Sequence, residues 1–218
     1  MSVHDVRLIY KKQGKAKYIS HLDMNRLIPR VLRRSGLPIW YTQGFNQRVH
    51  VVFSLPLSLG YESEYDIVDF RITDDEMSNE TVLCALKSAL PEGIVAVDVI
   101  NPILKPKDVK FAEFTLDISC DKSSADIIKA EFNNDSILVT KTTKKGKINT
   151  LDVKEFMPKY DISDTDSGIL VHLVLSAGNE NNINPAIIFD KIKKDGADFK
   201  IESVVRGRIF DEKMKLFC

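Results

Sequence analysis

Long apolar runs, cysteine clusters and nucleotide-binding glycine loops are all missing from this sequence. No stretch approaches the ~20 consecutive apolar residues of a membrane helix. The segment Met1-Ser2-Val3-His4-Asp5 has no basic region ahead of an apolar one. Neither a membrane span nor an export signal is therefore expected. The three cysteines, Cys84, Cys120 and Cys218, are odd in number and far apart. That excludes a disulfide framework and an iron–sulfur cluster, and a reducing cytoplasm is the expected location. His4, His21, His50 and His172 share no metal-ligand spacing with one another or with cysteine, so no metal is expected. No phosphate loop, dinucleotide fingerprint or nucleophile elbow occurs. No cofactor follows from these residues, and a non-catalytic role is favoured over an enzyme.

Net charge is the last absence, and it is deceptive. The 218 residues hold 31 bases and 31 acids. Residues 1–60, however, carry ten Lys/Arg against two acids, Asp5 and Asp23, leaving the rest of the chain acidic by the same margin. A basic third of this kind suggests a surface facing nucleic acid or membrane. The plainer alternative is a solvated face balanced by the acidic remainder. A hydrophobic fraction of 44% is that of an ordinary globular protein, with room for two domains of about 100 residues.

Val6, Leu8 and Tyr10 alternate as in a strand. Ser20 caps a helix, with Asp23 three residues on. The stripe Met24, Leu27, Ile28, Val31, Leu32 runs along it until Gly36 and Pro38 end it. Pro29 inside predicts a kink or a short first segment. Strands are expected at 39–42, 49–54, 65–72 and 94–100, with a helix capped by Ser78 and stopped at Pro91-Glu92-Gly93. The prolines of Asn101-Pro102-Ile103-Leu104-Lys105-Pro106 suggest a linker. The pattern then recurs: a strand through Phe114, Leu116 and Ile118; a helix capped by Ser123/Ser124; a hairpin of 137–142 and 147–153 around Lys144-Lys145-Gly146; and an ambiguous stretch at 153–160. A strand at 169–176, a helix opened by Asn184-Pro185 and ended by Gly196, and a strand at 199–210 complete it. Each half reads β-α-β-β-α-β, the ferredoxin-like order. The expected fold is α+β: two tandem ferredoxin-like domains with antiparallel sheets, at 1–101 and 111–218, joined by a linker at 102–110.

The candidate chemistry lies in the first domain. Arg26, Arg30, Arg33 and Arg34 stand off the apolar stripe of the first helix, preceded by Lys11, Lys12, Lys15 and Lys17. Arg48 closes the loop Gln43-Gly44-Phe45-Asn46-Gln47-Arg48. Guanidinium forks suit phosphates, and exposed aromatics stack unpaired bases. The expected nucleic-acid contacts are Lys12, Lys15, Lys17, Arg26, Arg30, Arg33, Arg34, Gln43, Phe45, Asn46 and Arg48. Tyr18, Trp40 and Tyr41 lie among them but are better read as core residues. The consensus string of the RNA-recognition motif is absent. His21 is a weak catalytic candidate because its pKa lies near neutrality; a packing role at the helix start fits it better. His50 and His172 are expected to be structural. The pairs Glu62/Glu64 and Asp66/Asp69 read as a solvated strand edge, and Lys144, Lys145 and Lys147 as an ordinary turn.

Five segments stand together in order: Ser20-His21-Leu22-Asp23, the run Arg-Arg-Ser-Gly-Leu-Pro at 33–38, Gln43-Gly44-Phe45-Asn46, the run Phe-Ser-Leu-Pro-Leu-Ser-Leu-Gly at 53–60, and Glu64-Tyr65. In these the sequence resembles the bacterial radical-SAM-linked protein family, a domain of otherwise unassigned function. The resemblance covers about residues 5–100, with Leu151-Asp152-Val153-Lys154 as a fainter match. It implies a partner, a cobalamin-type radical SAM protein found beside or fused to the domain, and no catalytic residues. The family's loop usually continues Asn-Pro-His-Pro, where this chain has Asn46-Gln47-Arg48-Val49; Arg48 would keep a phosphate contact there. The chain lacks both the C-x-x-x-C-x-x-C and the D-x-H-x-x-G signatures, so it would serve the radical enzyme without being one.

The expected function is thus an accessory RNA-binding protein in RNA modification or processing. Its partners would be a radical SAM protein and an RNA (tRNA or rRNA), with no DNA and no membrane. One alternative is a metal-independent endoribonuclease resembling the CRISPR repeat-processing enzymes, using His21 with Lys17 or Tyr18. That group's glycine-rich C-terminal loop has only Arg206-Gly207-Arg208 as a counterpart. Another is a protein-docking module working through the apolar loop 55–60, although a buried crossover is the preferred reading of that loop.

Overall fold

The computed structural model describes residues 3–142, 148–178 and 180–218. They form a mixed α+β protein with four helices and a mostly antiparallel sheet. The chain divides into two units: residues 1–109 with 208–218, and residues 110–207.

In the first unit, β1 (His4–Lys12) leads through a 3₁₀ turn to α1 (His21–Arg34). The Ser20 hydroxyl accepts the Asp23 N–H at 3.1 Å, satisfying one of the orphan donors of the first turn. Met24, Ile28, Val31 and Leu32 are buried along the predicted stripe, each worth about 1.5–3 kcal/mol in transfer free energy. α1 is unbroken across Pro29. The lost bond falls at Asn25, an exposed residue whose carbonyl water can serve. Then come β2 (Val51–Phe53), β3 (Glu62–Ile72), α2 (Asn79–Ala89) and β4 (Ile94–Ile100). The strand order is β4-β1-β3, with β2 on β3. Leu8 faces Val68 on one side and Val99 on the other. Both helices share one core with this sheet, built from Leu8, Val68, Phe70, Ile28, Leu32 and Leu86.

Two expected strands shrink here. Residues 39–42 and 49–54 supply only the bridges Ile39–Ile72 and Tyr41–Val49 and the three residues of β2. Asp66 and Asp69, expected at a solvated edge, are buried at 3% and 9% exposure because β3 has a neighbour on each flank.

In the second unit the order is β5 (Phe111–Cys120), α3 (Lys122–Asn133), β6 (Leu138–Thr142), β7 (Ile148–Asp152), β8 (Lys159–Thr165), β9 (Gly168–Ser176), α4 (Ala186–Lys194) and β10 (Phe199–Phe210). The sheet runs β10-β5-β9-β8, and β6-β7 form a separate hairpin. The pairs β1–β3, β1–β4, β2–β3, β5–β9, β6–β7 and β8–β9 are all antiparallel. The tip Lys144-Lys145-Gly146-Lys147 lies outside the described residues. α3 is capped by Asp121, which accepts the Ser124 N–H at 2.7 Å, instead of by Ser123 or Ser124 themselves. β8 is the strand that the sequence hides: its residues Lys-Tyr-Asp-Ile-Ser-Asp-Thr are mostly polar, as an edge strand allows. The turn into β9 requires Gly168, since a Cβ there would lie 2.1 Å from the Ile118 carbonyl oxygen. α4 has Pro185 at its N-cap position, and Asn184 just before it accepts the Ala186 N–H at 3.0 Å.

The β6-β7 hairpin is anchored by Asp152, whose Oδ1 accepts N–H groups from Ile137 at 2.9 Å and Lys154 at 3.0 Å. Burial pushes this carboxyl up. The two N–H bonds, a hydroxyl bond from Ser136 and the Lys154 charge outweigh it, and the carboxyl ends below its ordinary 3.8. A depressed carboxylate stabilises the fold above its unfolded value and loses that stabilisation as pH falls through the folded one. Asp152→Asn is therefore expected to flatten the loss of stability below about pH 4. Urea midpoints at a series of acidic pH values check this; an unchanged acid limb contradicts it.

The segment 102–110 is no free linker. Val109 is buried, and the Leu104 carbonyl accepts a bond from Arg7 at 2.8 Å. The tail, expected to complete the second domain, belongs to the first unit. Phe217 is fully buried, its carbonyl accepts the Tyr65 hydroxyl at 3.0 Å, and the Cys218 carbonyl accepts the Leu104 N–H. Burial pushes the Tyr65 phenol up to about 12, so it remains a donor at neutral pH.

Candidate nucleic-acid interface

The first sixty residues keep less free charge than their count suggests. Arg7 is buried in a bidentate pair with Asp69. Lys11 pairs with Glu64, Lys17 with Glu62 at 3.6 Å, and Arg26 with Asp23 at 3.4 Å. The Lys11 bond holds the Glu64 carboxyl below its ordinary 4.5. Lys12, expected at the surface, is 2% exposed, and its ammonium donates to the Ile19 carbonyl at 2.8 Å. It is therefore withdrawn from any nucleic-acid contact. Its position on β1 faces inward along with Tyr10, under the start of α1.

Among the described residues, the exposed side chains of Lys15, Arg30, Arg33 and Arg48 have no carboxylate partner. Arg34 is exposed and donates to the Ala89 carbonyl at the end of α2. At about 100° per residue, Arg26, Arg30, Arg33 and Arg34 share one side of α1, opposite the buried stripe.

The loop at 43–48 is exposed throughout. Its neck is tied by the Tyr41–Val49 bridge, by Thr42 N–H to the Arg48 carbonyl at 2.8 Å, and by Arg48 N–H to the Thr42 hydroxyl at 3.0 Å. Val49 and Tyr41 join the core that also takes the stripe of α1. Helix and loop are thus mounted on one body. At the tip Phe45 is fully solvent-exposed, with Gln43 and Asn46 beside it.

The other aromatics divide. Tyr18 is 67% exposed, with the Lys17 ammonium over its ring. Trp40 is half-buried between His50, at 6.0 Å, and the Arg71 guanidinium, at 5.3 Å. Arg71 also pairs with Asp5, and the sequence pattern gave no sign of either contact, because Asp5 and Trp40 are distant from it in the chain. His21 is half-buried, edge-on to Phe53 at 5.2 Å and 3.0 Å from the Asn25 amide, the packing role expected of it. His172 bonds the Thr115 hydroxyl within the second unit. Leu55 of the apolar loop is buried, while Leu59 is 62% exposed.

Among the described residues no group of His, Cys, Asp and Glu could hold a metal ion, and no helix is long and apolar enough to cross a membrane. A search of curated protein sequences found no match. Among solved structures, a chain from "Crystal Structure of a Cbf5-Nop10-Gar1 Complex" is similar in fold, with a TM-score of 0.52 at 10% identity. That match covers 94% of this chain and 50% of the other, so the present chain spans about half of its length. A second match is "Crystal Structure of an Unknown Protein from Galdieria sulphuraria", with a TM-score of 0.29 and 9% identity over 92% of this chain and 98% of the other. The family relation comes from the sequence: over residues 6–185 the chain matches, and so belongs to, the family described as "Uncharacterized protein conserved in bacteria (DUF2344)".

Proposed function

We propose that this protein is a non-catalytic RNA-binding accessory of a radical SAM enzyme, built of two ferredoxin-like units. The strand orders β4-β1-β3-β2 and β10-β5-β9-β8 support the fold: in each unit the last strand lies beside the first, and the third beside the first and second. The β6-β7 hairpin is then an insertion in the second unit. The radical SAM partner rests on the resemblance of the segments between Ser20 and Tyr65. The RNA reading is carried by one observation: Arg30 and Arg33, exposed and without a carboxylate partner on the outer side of α1, and a fully exposed aromatic loop are mounted on the same core. Free guanidinium groups on one helix side match a row of phosphates.

The test is binding of a short single-stranded RNA followed by fluorescence anisotropy over a range of salt. Log affinity should fall linearly with log salt, by about 0.7 per phosphate contact on a single strand. Arg30→Ala with Arg33→Ala should remove two contacts and make the slope shallower by about 1.4. A flat salt response, or an unchanged slope in the double variant, overturns the reading.

A further inference from the structure

Phe45 is the aromatic with least to do inside the protein. Its ring is fully exposed, whereas Trp40 already lies between Arg71 and His50, and Tyr18 lies under Lys17. It is not on a loose strand end. The neck bonds between Thr42 and Arg48 and the Tyr41–Val49 bridge hold both ends of the loop against a packed core. A large ring held out in this way is free to meet a partner that is not part of the chain.

The surroundings decide which partner. In the loop Phe45 is flanked by Gln43, Gly44, Asn46, Gln47 and Arg48, amides and a guanidinium with no second large apolar side chain among them. A protein anchor is bordered by further apolar surface; this one is bordered by hydrogen-bonding groups suited to base edges. Arg30, Arg33 and Arg48 of the same unit are exposed and have no carboxylate partner among the described residues, so they can attract a polyanion. We infer that Phe45 is a stacking platform for one unpaired nucleobase, with the Gln43 and Asn46 amides reaching its edge and Arg48 its phosphate. The inference rests on the RNA reading above and narrows it to single-stranded or looped RNA. A base paired inside a duplex offers no free face to the ring, since both its faces are stacked on neighbouring pairs.

The experiment compares two probes on the full chain by anisotropy at one salt concentration: a short unstructured RNA strand, and a blunt duplex with the same number of phosphates. The unmodified protein should prefer the single strand. Phe45→Ala should weaken single-strand binding by about 10- to 100-fold and leave duplex binding unchanged, and Phe45→Trp should restore it. Arg30→Ala with Arg33→Ala should weaken both probes together. Equal affinity of the unmodified protein for strand and duplex, or equal loss on both in Phe45→Ala, overturns the stacking role and leaves the RNA reading standing. Phe45→Ala with full single-strand affinity assigns the tip to a protein contact and likewise overturns it. No binding of either probe by the unmodified protein removes the RNA reading itself.

Discussion

Asp69→Ala is expected to cost about 3–5 kcal/mol, because it strands a buried guanidinium. Arg7 is fully buried. Its Nε and Nη2 donate to the two Asp69 carboxylate oxygens at 2.7 and 2.8 Å, and Nη2 also reaches the Leu104 carbonyl. The guanidinium lies 4.6 Å from the centre of the Phe217 ring. Removing the carboxylate leaves a positive charge with a carbonyl and a ring face for company. Against a total stability of about 5–15 kcal/mol this is a large fraction. The measurement is urea unfolding followed by the fluorescence of Trp40, the one tryptophan, which lies in the same unit. Joint replacement, Arg7→Met with Asp69→Leu, removes both charges and should recover most of the loss, since a buried pair contributes little net stability over an apolar pair of similar size. A midpoint for Asp69→Ala no lower than that of the exposed Asp23→Ala contradicts the account.

The same pair shows why the charge pattern of the sequence overstates the surface. The basic first third and the acids at 62–69 are apart in the chain. β1 and β3 are hydrogen-bonded neighbours, so Glu62, Glu64 and Asp69 come to lie against Lys17, Lys11 and Arg7. Cross-strand register is a long-range property, and counting charges along a window cannot supply it. What survives is Arg30, Arg33, Arg48 and Lys15, a smaller set placed where an anion can reach it.

Local signals did translate. Ser20 and Ser78 cap α1 and α2 because a hydroxyl two or three residues ahead of an orphan N–H is a local arrangement. The apolar stripe of α1 lies inward for the same reason. β8 failed because an edge strand with one wet face needs no apolar alternation, and the tail failed because nothing near Phe217 in the chain announces Arg7 and Tyr65 as its neighbours. The loop at 43–48 was legible as a loop. That Phe45 stands fully out of it was not, since Tyr41 and Trp40 have the same aromatic character and turn partly inward.

Phe132→Ala should produce a loss of the same size in the second unit, by a different mechanism. Phe132 is fully buried on α3, its ring 5.5 Å from that of Tyr160 and 6.0 Å from that of Phe189, which in turn meets Phe199 at 5.9 Å. One residue therefore joins α3, β8, α4 and, through Phe189, β10. Truncating a buried Phe to Ala costs about 3–5 kcal/mol, the transfer free energy of the ring together with the cavity it leaves. Phe132→Leu fills most of that space and should cost clearly less. Because Trp40 reports the first unit, the readout here is native-state amide hydrogen exchange, followed in peptides from residues 110–207. Protection of β5 and β9 should fall markedly in Phe132→Ala and only slightly in Phe132→Leu. If α3 alone loses protection while β5 and β9 keep theirs, the aromatic chain does not tie the helices to the sheet. The second unit would then be held by the apolar contacts of Leu116, Val171 and Leu173.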